Sequence, residues 1–169
     1  MENKIENINP DIQVIGIIPA RMESTRLPNK PVLDIKGKCL VQRVWEAASQ
    51  SNILQRVVIA TDSDQIVDRC FDFGAEFVIT DSDLPSGTDR IMQAYERLNE
   101  TAEYVINIQG DEPLLTGQII DNLLFKFIYS KADVGTIVSK INNTDEIFDK
   151  NVVKVLLKSD MTAVDFSRE

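Results

Sequence analysis

A basic segment follows the first apolar run of the sequence. From Ile17 to Lys38 the chain reads IIPARMESTRLPNKPVLDIKGK, in which five basic side chains stand against two acidic ones. The basic residues are Arg21, Arg26, Lys30, Lys36 and Lys38. Three prolines restrict the backbone here, which lowers the entropic cost of ordering the charged groups around a ligand. The segment is therefore predicted to bind a polyanion such as a triphosphate.

The basic segment differs from the glycine-rich phosphate loops. Neither G-x-x-x-x-G-K-[ST] nor G-x-G-x-x-G occurs in the chain, so side chains rather than glycine backbone would supply the positive field. We favour Arg21, Arg26 and Lys30 as ligands of the anion. For Lys36 and Lys38, in the turn DIKGK, a solvated surface is the simpler interpretation.

A second polar segment, NIQGDEP, directly follows the apolar run YVINI. Carboxylates at the carboxyl end of a buried strand can hold Mg²⁺ beside the phosphate oxygens of a substrate, and Asp111 is the candidate ligand. The alternative is a simple turn, since Gly-Asp-Glu-Pro is favourable turn chemistry, and this alternative is stronger for Glu112.

A third segment, PSGTDR from Pro85 to Arg90, leaves two interpretations open. Ser86 and Thr88 are typical helix caps, whereas Gly87 would let the backbone approach a base or a ribose. Arg90 could bind a carboxylate or pair with an acidic residue on a helix face.

The elements that must position these segments alternate along the chain. Continuous apolar runs at 13–18, 56–60, 76–79 and 104–108 are typical of strands buried on both faces, and helical periodicity separates them. Asp62 with Gln65 and Ser86 with Asp89 predict two helix starts. The pattern predicts an α/β fold with a mostly parallel sheet, helices on both faces and a ligand site at the carboxyl ends of the strands.

The last part of the chain favours further strands. The segments DVGTIVSKI, VVKVLLK and TAVDF are rich in β-branched residues and partly alternating, which indicates strands that could be antiparallel. Residues 1–12 are predicted to be disordered or extended, and 13–169 to form one domain.

Composition excludes several function classes. With 27 acidic and 18 basic residues the net charge is −9, which opposes a general affinity for nucleic acid or anionic membrane. No apolar stretch approaches the ~20 residues of a membrane span, and a cytoplasmic location is expected. Histidine is absent, which removes imidazole bases and ligands and favours a hard cation such as Mg²⁺. Cys39 and Cys70 are expected to be reduced and to act as small apolar residues.

Taken together, the segments described above, with VVIATDSDQI and the terminal VDFSR, closely resemble the 3-deoxy-manno-octulosonate cytidylyltransferases, the CMP-Kdo synthetases of lipopolysaccharide biosynthesis. The resemblance runs from Val14 onward. It implies a Rossmann-like nucleotidyltransferase fold, the substrates CTP and Kdo, Mg²⁺ as cofactor and a homodimer.

The resemblance also implies roles for individual residues. Arg21, Lys30 and Asp111 would be catalytic, with Asp111 holding the metal. The nucleotide would contact Ala20, Arg21, Arg26, Lys30, Ser86 and Gly87. The sugar would contact Arg90, Gln109 and Arg168.

This chain departs from the family pattern in three places. Leu84 and Pro85 replace a histidine that often precedes the Ser-Gly-Thr motif, and Met22 replaces an aromatic residue. Family members also continue beyond the position of Glu169, with further sugar contacts, dimer contacts and a second metal-binding aspartate. Three alternatives stay open: a cytidylyltransferase for sialic acid or an amino-Kdo, a nucleotide-binding fragment without turnover, and an α/β domain with a solvated basic loop.

Overall fold

The computed structural model describes residues 9, 11–23 and 27–169. Its strands are β1 (Val14–Ala20), β2 (Asp34–Ile35), β3 (Lys38–Cys39), β4 (Arg56–Thr61), β5 (Glu76–Ile79), β6 (Tyr104–Asn107), β7 (Lys154–Leu157) and β8 (Ala163–Ser167). Its α-helices are α1 (Leu40–Ala48), α2 (Asp64–Phe73), α3 (Gly87–Leu98), α4 (Gly117–Ile128) and the short α5 (Asp145–Phe148), and a 3₁₀ turn covers Lys30–Val32. No described helix combines the length and apolar composition that a bilayer crossing requires.

The central sheet lies in the first of two compact units, residues 1–131. Its described strands are parallel and have the order β5-β4-β1-β6. Strand β1 is therefore internal and pairs with β4 on one side and β6 on the other. This position explains why its residues form a continuous apolar run, because both its faces and both its edges are covered.

Helices cover both faces of this sheet, as the sequence predicted. Alternate residues of β1 point to opposite faces, so that Val14 and Ile18 pack in one apolar cluster and Ile15 and Ile17 in another. The first cluster receives buried residues of α1, α2 and α4, and the second receives Ile91 and Ala94 of α3. A Rossmann-like α/β arrangement with helices on both faces is thus confirmed.

The second compact unit covers residues 132–169 and holds α5 and the antiparallel pair of β7 and β8. The predicted antiparallel strands in VVKVLLK and TAVDF are confirmed. The predicted strand in DVGTIVSKI is wrong, because residues 133–141 have no regular structure. No described strand pairs with this segment, and β-branched composition alone cannot satisfy the hydrogen bonds of an extended backbone.

The two predicted helix caps have different outcomes. The Ser86 hydroxyl accepts a hydrogen bond from the Asp89 amide at 3.2 Å, so the cap of α3 is confirmed. The predicted Asp62 cap of α2 is wrong, because Ser63 occupies the cap position and no side chain caps that helix. The Asp62 carboxylate is engaged with Arg90 instead.

Candidate active site

A cleft of about 500 Å³ opens where β1 ends, at the carboxyl edge of the parallel sheet. Open α/β sheets bind their ligands at this edge, so the cleft lies where the topology predicts it. The cleft is lined by Pro19, Ala20, Arg21, Glu23, Leu27, Lys30, Pro31, Leu84, Ser86, Gly87, Arg90, Gln109, Gly110 and Asp111. All of these residues except Leu84 come from the three segments that the sequence singled out.

Lys30 and Asp111 meet across this cleft. The Lys30 Nζ donates to Asp111 Oδ2 at 2.6 Å, although the two residues are separated by 81 positions in the chain. Lys30 is the first residue of the 3₁₀ turn, and the next residue, Pro31, is buried. The packed turn therefore fixes the backbone from which the lysine side chain extends. The two side chains are 34 % and 51 % exposed, so both charged groups remain accessible to a ligand.

The loop after β6 approaches the end of β1 closely enough to require glycine. A Cβ on Gly110 would lie 2.9 Å from the Pro19 carbonyl oxygen, a distance that no relaxed side chain adopts. Glycine therefore lets the QGD segment pack directly against the strand that carries Ala20 and Arg21. Gln109 also lines the cleft, and its Nε2 donates to the Asn107 side chain at 2.7 Å.

Arg90 is the buried cation of the cleft wall. The residue is 2 % exposed, and its guanidinium donates to the Thr80 hydroxyl and, at 3.1 Å, to Asp62 Oδ2. Both interpretations of Arg90 from the sequence thus retain support, because it lines the cleft and also forms an ion pair. The acidic partner lies after β4 rather than on the same helix.

The structure brings most of the predicted site residues together. Ala20, Arg21, Lys30, Ser86, Gly87, Arg90, Gln109 and Asp111 all line the cleft. Arg26 lies outside the described residues. Arg168 lies in the second unit, where it donates to the carbonyls of Lys150 and Asn151, and its role stays a prediction.

Two other basic residues of the segment, Lys36 and Lys38, do not line the cleft. Lys38 is absent from the cleft lining and donates to the Glu46 carboxylate at 2.7 Å, which holds the pKa of that carboxyl below its usual range. Lys36 is also absent from the lining. This placement is consistent with the interpretation that these two lysines lie on a solvated surface.

Sequence reasoning missed several contributors to the cleft. Glu23, Leu27 and Leu84 line it, and Asp62 and Thr80 hold Arg90. Asp62 directly follows the buried strand β4 in the same way that the QGD segment follows β6. The rule that selected Asp111, a carboxylate after a buried strand, could also have selected Asp62.

The described residues provide few clustered metal ligands. Among them, no group of three or more acidic, cysteine or histidine side chains could enclose a metal ion. Asp111 and Glu23 are the two acidic residues in the described cleft lining, and Asp111 is the one that accepts from Lys30. One carboxylate with substrate phosphates is a sufficient donor set for Mg²⁺, which commonly keeps several waters.

Comparison with known proteins adds independent findings. A family model described as cytidylyltransferase matches residues 15–169. The 3-deoxy-manno-octulosonate cytidylyltransferase of Cytophaga hutchinsonii is 36 % identical over 162 residues, which cover 96 % of this chain and 64 % of that protein. The enzyme of the same name from Bdellovibrio bacteriovorus is 41 % identical over 158 residues, covering 93 % and 63 %.

A solved structure is similar over the same range. It is a CMP:2-keto-3-deoxy-manno-octonic acid synthetase complexed with CTP, with a TM-score of 0.81, 32 % identity, and coverage of 93 % of this chain and 64 % of that one. The chain thus spans less than two thirds of the length of the relatives that it matches.

Proposed function

This chain belongs to the cytidylyltransferase family, and from that premise we propose that its protein transfers CMP from CTP to the anomeric hydroxyl of Kdo. The products are CMP-Kdo, a precursor for lipopolysaccharide, and pyrophosphate. The observation that carries the proposal is the contact between Lys30 and Asp111, which joins the basic segment to the QGD segment in one cleft.

The reaction needs no protein nucleophile. The sugar hydroxyl loses its proton to solvent and attacks the α-phosphorus of CTP in line, a new P–O bond forms, the bond to the bridging oxygen breaks, and pyrophosphate leaves. Negative charge builds on the oxygens that depart, so positive groups fixed near them lower the barrier. We assign this role to Arg21 and Lys30, and we extend it to Arg26 on sequence grounds alone.

We assign the other cleft residues to the two substrates. Ser86 and Gly87, at the start of α3, would contact the nucleotide together with Ala20. Arg90 and Gln109 would contact the sugar acid, whose carboxylate suits a guanidinium. Arg168 is proposed as a further sugar contact.

We propose Mg²⁺ as the cofactor, with Asp111 as its ligand from this chain. When bound, a divalent cation would neutralise phosphate charge and orient the triphosphate. The donor chemistry fits, because a carboxylate oxygen is a hard ligand and the described cleft residues offer no thiol or imidazole. We also propose that the complete protein acts as a homodimer, which sedimentation of that protein would test.

The test of the proposed function is pyrophosphate release by the complete protein with CTP, Mg²⁺ and Kdo. We expect turnover that depends on all three components. Sialic acid and an amino-Kdo serve as competing acceptors, and faster turnover with either would transfer the assignment to that sugar acid. A protein that binds CTP but releases no pyrophosphate with any of these acceptors would refute the transferase assignment.

A further inference from the structure

The guanidinium of Arg90 contacts two residues that each directly follow a strand of the sheet. Asp62 follows β4 directly, and Thr80 follows β5 directly. Arg90 reaches them from α3, with Nη2 at 3.1 Å from Asp62 Oδ2 and Nη1 donating to the Thr80 hydroxyl. The Arg90 side chain is 3 % exposed and that of Asp62 is 18 % exposed.

Burying this ion pair costs desolvation free energy, so a contribution to folding stability does not by itself explain its presence. Charges removed from water lose much of their hydration energy, and apolar residues of similar volume usually stabilise such a position as well or better. The pair lies at the ligand edge of the sheet, and Arg90 contributes to the cleft wall whereas Asp62 and Thr80 are absent from the lining. This arrangement is the one expected if Asp62 and Thr80, which lie outside the cleft lining, orient the guanidinium of Arg90 toward a ligand in the cleft.

The guanidinium has N–H groups beyond those that contact Asp62 and Thr80. An arginine has five N–H groups in a planar fork, and the contacts with Asp62 and Thr80 use one on each Nη atom. A fixed fork binds a carboxylate with two parallel hydrogen bonds, but only while its plane is held in the right orientation. Without Asp62, the cation would lose both its charge partner and the contact that fixes its plane.

We propose that Asp62, supported by Thr80, is a positioning residue for the sugar-acid subsite, acting through Arg90 without touching substrate. The inference rests on the proposed function and goes beyond it, because it assigns specificity to residues outside the cleft lining. It predicts an effect confined to one of the two substrates.

The test is steady-state kinetics of the complete protein carrying Asp62→Asn, with CTP and Kdo varied separately. The asparagine keeps the shape of the side chain and removes its charge. We expect the KM for Kdo to rise about tenfold, in the range of one charge-assisted hydrogen bond, while the KM for CTP changes by less than about twofold. A structural defect would instead affect both substrates.

Asp81→Asn is the matched control. Asp81 also follows β5 and also pairs with an arginine of α3, since Arg97 donates to it at 2.6 Å and holds the pKa of that carboxyl below its usual range. Neither Asp81 nor Arg97 lines the cleft. Loss of this carboxylate is expected to leave both KM values unchanged.

A second variant covers the case in which Asp62→Asn does not fold. Thr80→Val keeps the volume of the side chain and removes the hydroxyl that accepts from Arg90, so it should raise the KM for Kdo in the same direction by a smaller factor. Equal changes in both KM values, or no change in that for Kdo, would overturn the inference while leaving the proposed function in place. A wild-type protein without Kdo-dependent turnover would overturn both.

Discussion

Lys30 and Lys38 belong to the same basic segment but have different partners. Lys30 donates to Asp111 in the cleft, whereas Lys38 donates to Glu46 on α1. Both side chains are partly exposed, at 34 % and 45 %. Replacing Lys30 therefore removes a charge inside the proposed site, and replacing Lys38 removes the same charge outside it.

At the scale of single residues, Lys30→Ala is expected to lower kcat/KM for CTP by about 10²- to 10³-fold, the usual cost of removing one donor aimed at developing charge. Lys38→Ala is expected to change it only slightly. The measurement is initial-rate pyrophosphate release at varied CTP. Similar losses in both variants would mean that Lys30 acts only through the general field of the segment.

The ion pair of Lys30 also bears on metal binding. In the structure its ammonium already neutralises the carboxylate proposed as the metal ligand, so a divalent cation must compete with it. Phosphates of a bound nucleotide would attract Lys30 away and release Asp111. Metal and nucleotide are then expected to bind with positive coupling, each increasing the affinity of the other.

Lys30→Met is accordingly expected to increase Mn²⁺ affinity in the absence of nucleotide, by up to about fivefold, since an exposed ion pair contributes at most about 1 kcal/mol. Electron paramagnetic resonance of free Mn²⁺ measures this directly. Lys38→Met makes the same change in net charge and should have little effect. Asp111→Asn should remove the increase, and an unchanged affinity in Lys30→Met would contradict the competition.

At the scale of elements, the start of α4 is fixed against the turn that follows α1. Asp121 is 1 % exposed, and its carboxylate accepts from the Ser51 hydroxyl, the Asn52 amide and the Asn52 side chain. Gly117 permits this approach, because a Cβ there would lie 2.4 Å from the backbone of Gln50 and Ser51. Backbone atoms cannot yield as a flexible side chain can.

Gly117→Ala is therefore expected to lower the free energy of unfolding by about 1–3 kcal/mol, the usual cost of overpacking. Gly87→Ala is the control, because Gly87 also begins a helix but its added Cβ would meet only Pro19 at 3.4 Å. Urea unfolding of both variants measures the difference. A loss of similar size in Gly87→Ala would show that helix-start glycines matter here for another reason.

At the scale of the whole molecule, the core contains an ionisable group. Cys70 is completely buried in the cluster beneath the sheet, and burial raises the pKa of its thiol from 9.0 to about 12. Cys39 and Cys70 are both buried and form no disulfide in the described chain, which agrees with the expectation that they act as small apolar residues. Above pH 9 the unfolded chain releases the Cys70 proton while the folded protein retains it.

Stability is therefore expected to fall as pH rises between 9 and 12, with Cys70 contributing a slope of about 1.4 kcal/mol per pH unit. Urea unfolding at pH 8 and pH 10 tests this, because the cost of Cys70→Ala should be smaller at the higher pH. Ile66→Val, in the same cluster without an ionisable group, should cost the same at both pH values. A constant cost for Cys70→Ala would contradict the expectation.

The four parallel strands and the helices between them could be predicted from the sequence, because each strand is a short apolar run and helical periodicity separates the runs. Burial on both faces holds for β1 and most of β4 but not for β5 and β6, which lie at the edges of the described sheet and keep exposed residues. Asp111 and the basic segment could be predicted for a related reason, since polar groups in the loops that follow parallel strands reach the ligand edge of the sheet. These predictions need only the local order of apolar and polar residues, and no contact between distant parts of the chain has to be known.

Other features depended on tertiary contacts. The contacts of Lys30 with Asp111 and of Arg90 with Asp62 join residues that are 81 and 28 positions apart in the chain. The position of Lys38 outside the cleft also depended on packing, because its side chain contacts Glu46 instead. The absence of a strand at 133–141 is similar, because a strand requires a partner and composition specifies none. Side-chain chemistry determined which groups could act, and packing decided which of them share a site.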